Sequence, residues 1–246
     1  MEPLHFTASQ NLNQRATMGL IVLQEDETIE LDFRRLLPDD IALHVSRVAS
    51  GQQVTTQTLE SMRENLAASA SLFPAAAEFD CVGYACTSGT SVIGTNDVEL
   101  RINAGCSTRH VSNPVSGIIA ACAHLGITRI ALLTPYIPDV SNKLRDVLDQ
   151  AGIASPSVGS FNQADEAIVA RIDEASILNA AETLAKDADM DAMFISCTNL
   201  RALDAIGKIE ASIGKPVLSS NQVLAWHMAK LAGVSIRHHQ FGELFK

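Results

Sequence analysis

The stretch 80-DCVGYACT-87 lines up with 191-DAMFISCT-198 at a constant offset of 111 residues, and this repeat constrains the fold more than any other feature. Each copy has Asp, five mostly apolar residues, then Cys-Thr. At the same offset 18-MGLIVLQ-24 falls on 129-RIALLTP-135. Further on, 41-IALHV-45 meets 153-IASPS-157 at an offset of 112, and 112-SN-113 meets 220-SN-221 at 108. Buried strands resemble one another by chance, but the paired Asp and Cys-Thr positions in one order point to two related α/β lobes.

Runs rich in Val, Ile and Leu alternate with segments of helical period, the pattern of parallel strands covered by helices on both faces. Strands are expected at 17–23, 41–48, 81–86, 129–135, 191–197 and 216–220. The segment 56–73 reads as an amphipathic helix through Leu59, Met62, Leu66, Ala70 and Phe73, and 174–187 reads likewise through Ile177, Leu178, Ala181 and Leu184. A further helix spans 221–233 and ends at Gly233. Nothing in the composition marks a flexible linker, so the chain divides into an N-terminal lobe, 1–115, and a C-terminal lobe, 116–221. The closing segment 222–246 is expected to pack back on the first lobe.

Two equivalent lobes face each other across a pseudo-two-fold axis, which puts Cys86 and Cys197 at matching strand ends. Ligands of open parallel sheets bind just beyond those carboxyl ends, so two thiols flank one cleft. Free cysteine is among the most buried residue types, and either thiol alone reads as a small hydrophobe. The matched contexts make the pair a candidate reagent. Each is followed by residues suited to a turn into a helix, Thr87-Ser88-Gly89-Thr90 and Thr198-Asn199, whose free N–H groups favour a thiolate and can hold a carboxylate. With a thiol on each side of a carbon, one can remove a proton and the other return one. Alternatively, one thiolate adds to an activated double bond, which rotates before the sulfur leaves. Cys81, Cys106 and Cys122 read as structural.

Charge and motif content narrow the classes further. The formal net charge of -10 and the lack of a Lys/Arg patch argue against nucleic acid. No apolar run reaches a bilayer span and the N-terminus lacks the pattern of an export signal, so the expected location is cytoplasmic. Five cysteines form an odd set without disulfide spacing, and the seven histidines make neither HExxH nor a partner for CxxC, so no metal is expected. GxGxxG and GxxxxGK are missing as well. The charged stretch 30-ELDFRRLLPDD-40 reads as a solvated loop or helix end, His227 as a satisfied helix histidine, and His238-His239 as part of a polar tail.

The two Cys-Thr motifs, 134-TPY-136 and 216-PVLSSNQ-222 resemble the maleate isomerase and arylmalonate decarboxylase branch of the aspartate/glutamate racemase superfamily, from Gly19 to about Gly233. The resemblance implies an α/β fold of two pseudo-symmetric, Rossmann-like lobes, each with a four-stranded parallel sheet, in a cofactor-free homodimer acting on a small carboxylate. By analogy with the maleate isomerases, Cys86 is the nucleophile and Cys197 its partner acid or base. Tyr136 looks like the residue that hydrogen-bonds a substrate carboxylate, and Asn162 like a substrate-binding Asn, where the bland reading is a turn residue. Thr87, Ser88, Thr198 and Asn199 complete the expected binding set.

Two departures bear on the substrate. The arylmalonate enzymes of this branch use only the second cysteine, so Cys86 argues against a simple decarboxylase. The first strand ends in 22-VLQED-26 where maleate isomerases place a Pro-Ser segment with a substrate-binding Asn; Gln24 offers a similar donor on a longer side chain. The chain also resembles members of the branch encoded with ectoine-utilisation enzymes and thought to act as racemases or epimerases. A metabolite sensor with two lobes around a cleft is the expectation from another class.

Overall fold

The computed structural model describes residues 3–8, 14–186 and 188–246. Asp187, at the end of the expected helix 174–187, and residues 1, 2 and 9–13 near the N-terminus lie outside them.

The first half runs β1 (Ala16–Leu23), α1 (Ile29–Leu36), β2 (Ile41–Val48), α2 (Thr56–Ser61), α3 (Leu66–Ala70), β3 (Cys81–Ala85), α4 (Thr87–Ile93), α5 (Thr95–Gly105) and β4 (Val111–Ser112). Helix α6 (Pro114–Leu125) leads to the second half. There follow β5 (Arg129–Thr134), α7 (Pro138–Gln150), β6 (Ala154–Ser160), α8 (Glu166–Val169), α9 (Glu174–Ala185), β7 (Ala192–Ile195), α10 (Ile206–Ile213), β8 (Val217–Ser219) and α11 (Ser220–Leu231). Two four-stranded sheets result, ordered β2-β1-β3-β4 and β6-β5-β7-β8, with every pairing parallel.

The repeat is therefore structural, and its paired aspartates explain themselves. Asp80 Oδ2 accepts the Thr17 N–H at 2.9 Å, and Asp191 Oδ2 accepts the Thr128 N–H at 2.9 Å. Each carboxylate pins the start of a central strand, β1 or β5, to the strand beside it. Those central strands are buried on both faces and so read as continuous apolar runs. Strand β6 was not expected from the sequence. Its ASPSVGS alternates between exposed and covered positions on a sheet edge, where Pro and Gly are tolerated and hydrophobic patterning is weak. Two-residue β4 is too short to leave a pattern.

The expected helix 56–73 is broken into α2, a 3-10 turn over Met62–Asn65, and α3. Its apolar face is nevertheless intact, with Leu59, Met62, Leu66, Ala70 and Phe73 all buried. Asp32 corrects the solvated reading of 30–40: it is buried within α1 and accepts a hydrogen bond from Asn221 Nδ2 at 2.8 Å.

Helix α6, whose first turn holds the expected boundary at 115, crosses α11 closely. A Cβ on Gly117 would stand 2.8 Å from the Val223 carbonyl oxygen, so only glycine permits that approach. On α11, His227 Nδ1 lies 2.8 Å from the Ser112 hydroxyl at the end of β4. Helix α11 thus lies against the first sheet. The chain after it returns to α1, where His238 Nε2 meets the Leu36 carbonyl at 2.8 Å.

Candidate active site

Both cysteines sit just beyond the carboxyl ends of equivalent strands, Cys86 after β3 and Cys197 after β7. Cys86 caps α4: the Gly89 N–H donates to its Sγ at 3.1 Å, and the Ser88 hydroxyl lies 3.6 Å away. Cys197 departs from the expected helix start. Residues 198–205 form turns, and α10 begins only at Ile206. Cys197 instead adopts φ 121°, a conformation costly for any residue with a Cβ, and the Asn199 N–H faces its sulfur.

The two motifs are tied to each other. The Thr87 hydroxyl is 2.7 Å from the Ser220 hydroxyl, which accepts the Cys197 N–H at 2.9 Å. The Thr198 hydroxyl donates to the Ala85 carbonyl at 3.2 Å. One lobe's Cys-Thr step is thereby held against the other's. A short antiparallel clasp joins the lobes nearby: the Val54 N–H donates to the Ala164 carbonyl at 2.7 Å, and the Glu166 N–H to the Gln52 carbonyl at 3.0 Å. With the cleft closed, Cys86 is 4% exposed, Cys197 6%, and Tyr136 1%.

Burial governs the electrostatics. It pushes the Cys86 thiol up to about 12, against the opposing pull of the Ser88 hydroxyl, the Gly89 N–H and the Tyr84 hydroxyl. Cys197 is raised well above the ordinary thiol range, first by burial and then by the nearby Glu166 carboxyl. Burial thus disfavours the thiolate form of both cysteines. Burial also raises Glu166 to about 7, although Asn199 Nδ2 donates to its Oε2 at 2.9 Å.

Of the residues expected from sequence, Cys86, Thr87, Ser88, Tyr136, Cys197, Thr198 and Asn199 are all buried around this junction. Burial raises the Tyr136 hydroxyl above the ordinary phenol range, and it lies 3.3 Å from the Ser196 hydroxyl. Asn199 also clamps neighbouring segments, since its Oδ1 accepts the Glu27 N–H at 2.9 Å while its side-chain amide holds Glu166. Gln24 and Asn162 are exposed in the closed structure. Asn162 takes a left-handed turn at φ 52°, which asparagine tolerates, and its N–H donates to Ser160 Oγ at 2.9 Å. In the β1–α1 turn the buried side chains are Asp26 and Thr28 rather than Gln24.

Asp26, Tyr84, Glu166 and Ser220 escaped sequence reasoning. Ser220 had a signal in the repeated Ser-Asn pair, whereas Glu166 looked like any polar residue opening a short helix. Among the other cysteines, Cys81 and Cys122 are buried and Cys106 is half-buried. No group of three or more His, Cys, Asp or Glu among the described residues is placed to hold a metal ion. No helix among them is long and apolar enough to cross a membrane.

Gly89 is the tightest point beside Cys86. A Cβ there would lie 2.6 Å from Tyr84 Oη, 2.9 Å from Cys86 Sγ and 3.1 Å from Met62 Cε. The Gly89→Ala protein is expected to fold yet lose about 100-fold in kcat, because displacing a reacting atom by an ångström has that effect. Unchanged kcat in a variant of native circular dichroism would show that the Cys86 position is not critical.

Two parallel α/β lobes thus meet over a pair of buried thiols, each in a Cys-Thr step. A family model for arylmalonate decarboxylase matches residues 95–245, and the chain belongs to that family. Arylmalonate decarboxylase of Bordetella bronchiseptica is 28% identical over 93% of this chain and 96% of its own. A cysteine-to-alanine variant of the maleate isomerase Iso of Pseudomonas putida S16, solved with maleate, superposes with a TM-score of 0.84 at 23% identity, covering 94% of this chain and 97% of the other. A cysteine-to-serine variant of Nocardia farcinica maleate cis-trans isomerase, solved with a covalently bound succinylcysteine intermediate, gives 0.81 at 21% identity over 94% and 98%. The relatives are decarboxylases and isomerases, which supports an enzyme.

Proposed function

We propose that the protein is a cofactor-independent isomerase of a small carboxylic acid, with Cys86 and Cys197 acting as a pair. The observation that carries this reading is the junction itself. Two buried thiols at equivalent strand ends are held in one place by Thr87, Ser220 and Thr198. A sensor needs neither thiol.

In the addition route, Cys86 as thiolate bonds to one carbon of an activated double bond and the π electrons move to the other carbon. Cys197 delivers its proton there, the new single bond rotates, Cys197 takes a proton back, and the C–S bond breaks. The succinylcysteine in the Nocardia relative is what such a route predicts. In the two-base route, one thiolate removes the proton from a stereocentre and the other thiol returns one to the opposite face. The acidic surroundings of the thiols favour this second route, because they suit an amino acid better than a dicarboxylate. A part in ectoine catabolism belongs to it.

Proton NMR in D2O, with maleate and a panel of chiral amino and hydroxy acids, separates the two. Fumarate appearing from maleate supports addition, whereas deuterium entering an α-carbon supports proton transfer. Either reaction persisting in both Cys86→Ala and Cys197→Ala would sink the thiol-pair reading.

A further inference from the structure

Two carboxyl groups stand beside the thiols, one from each lobe. Asp26, in the β1–α1 turn, is 5% exposed, and its Oδ1 accepts the Thr28 and Ile29 N–H groups, each at 2.8 Å. Its Oδ2 is buried without a hydrogen-bond partner and faces Thr198. Glu166, opening α8, is 8% exposed and holds the Asn199 side-chain amide. Asn199 stands two residues after Cys197, so its side-chain amide ties Glu166 to the turn that follows that cysteine. The Asp26 charge raises Glu166 and both carboxyls raise Cys197, while Glu166 also acts on Cys86 and Tyr136.

No cation answers them from within. The buried charged residues among those described are Asp26, Asp32 and Glu166, with no buried Lys or Arg. Arg47 reaches this turn from the half-exposed side, where it pairs with Glu30 and donates to the carbonyl oxygens of Leu23, Gln24 and Asp26; its charge lowers Asp26, but by less than burial raises it. Burying like charges without a counter-charge is costly, and the orphaned Oδ2 adds an unmet acceptor. A bound cation relieves both. A ligand with carboxylates at both ends adds to the repulsion instead.

We propose that Asp26 and Glu166 form a cation subsite, so that the acid handled between Cys86 and Cys197 carries a protonated amine nitrogen and is not a dicarboxylate. This deepens the thiol-pair reading and rests on it for the location of the ligand. Asp26 Oδ2 and the free Glu166 oxygen accept from the ammonium hydrogens. The clasp between residues 52–54 and 164–166 parts to admit the ligand and restores burial when it closes.

Calorimetric titration of the Cys197→Ala protein, which holds ligand without turning it over, tests the charge preference apart from the chemistry. At pH 8, β-alanine and 4-aminobutyrate are compared with malonate, glutarate and maleate. The amino acids are expected to bind at least ~10-fold more tightly than dicarboxylates of similar length. Glu166→Gln, added to this background, is expected to lower amino-acid affinity by ~10-fold and to improve dicarboxylate binding. Asp26→Asn should act in the same direction. A dicarboxylate bound as tightly as the amino acids, a preference unmoved by Glu166→Gln, or no amino acid bound at about 10 mM overturns the proposal. The thiol-pair reading fails by a different result, turnover surviving loss of the cysteines.

Discussion

Cys86→Ala and Cys197→Ala are each expected to lower kcat by about 10³-fold or more, the scale of losing a positioned acid, base or nucleophile. Neither change should unfold the protein. Removing one buried sulfur leaves a small cavity worth about 1 kcal/mol, and the hydrogen bonds around it belong mostly to the backbone and to Thr87, Thr198 and Ser220. Cys197 adds an internal control through its φ of 121°. Glycine adopts that conformation freely, so Cys197→Gly should be more stable than Cys197→Ala by about 1 kcal/mol while being equally inactive. Urea unfolding beside steady-state kinetics reads both quantities. Activity within tenfold of wild type in either alanine variant would reduce that thiol to packing.

Asn199→Ala is expected to destabilise the protein by about 3 kcal/mol, as buried polar partners left unpaired do. The residue is 2% exposed and its side chain holds two segments: the β1–α1 turn, through the Glu27 N–H and the Glu25 carbonyl, and the start of α8, through the carbonyl and carboxyl of Glu166. Alanine leaves the Glu27 N–H and the Glu166 carboxyl without that partner in a buried place. Asn199→Asp should be worse still near pH 8, because it sets a third carboxylate against Glu166 and Asp26. A loss below about 1 kcal/mol in chemical denaturation of Asn199→Ala would mean that water replaces the side chain and that the β1–α1 turn is not clamped.

The cysteines were legible in the sequence and the clamp made by Asn199 was not. Cys86 and Cys197 were visible because a repeated Asp and a repeated Cys-Thr survive in two strands that must stay apolar between them. The central strands were visible for the same reason: buried on both faces, β1 and β5 are mostly apolar along their length. Edge strand β6 was not, since one solvated side removes the demand for hydrophobic residues. The break in 56–73 was hidden because a 3-10 turn shifts the backbone while leaving the same apolar face inward.

The site divides along the same line. Local patterning determined two lobes, their strand ends and the thiols at them, because strand periodicity and a motif at fixed offset are properties of neighbouring residues. Tertiary structure alone decided that Ser220 joins Thr87 to the Cys197 amide, that no helix starts at Cys197, and that Asp26 rather than Gln24 is buried. It also brought Glu166 and Asp26 together across 140 positions of chain. Charge inside a cleft depends on which side chains lose water together, and that is a property of packing between lobes that no local pattern encodes.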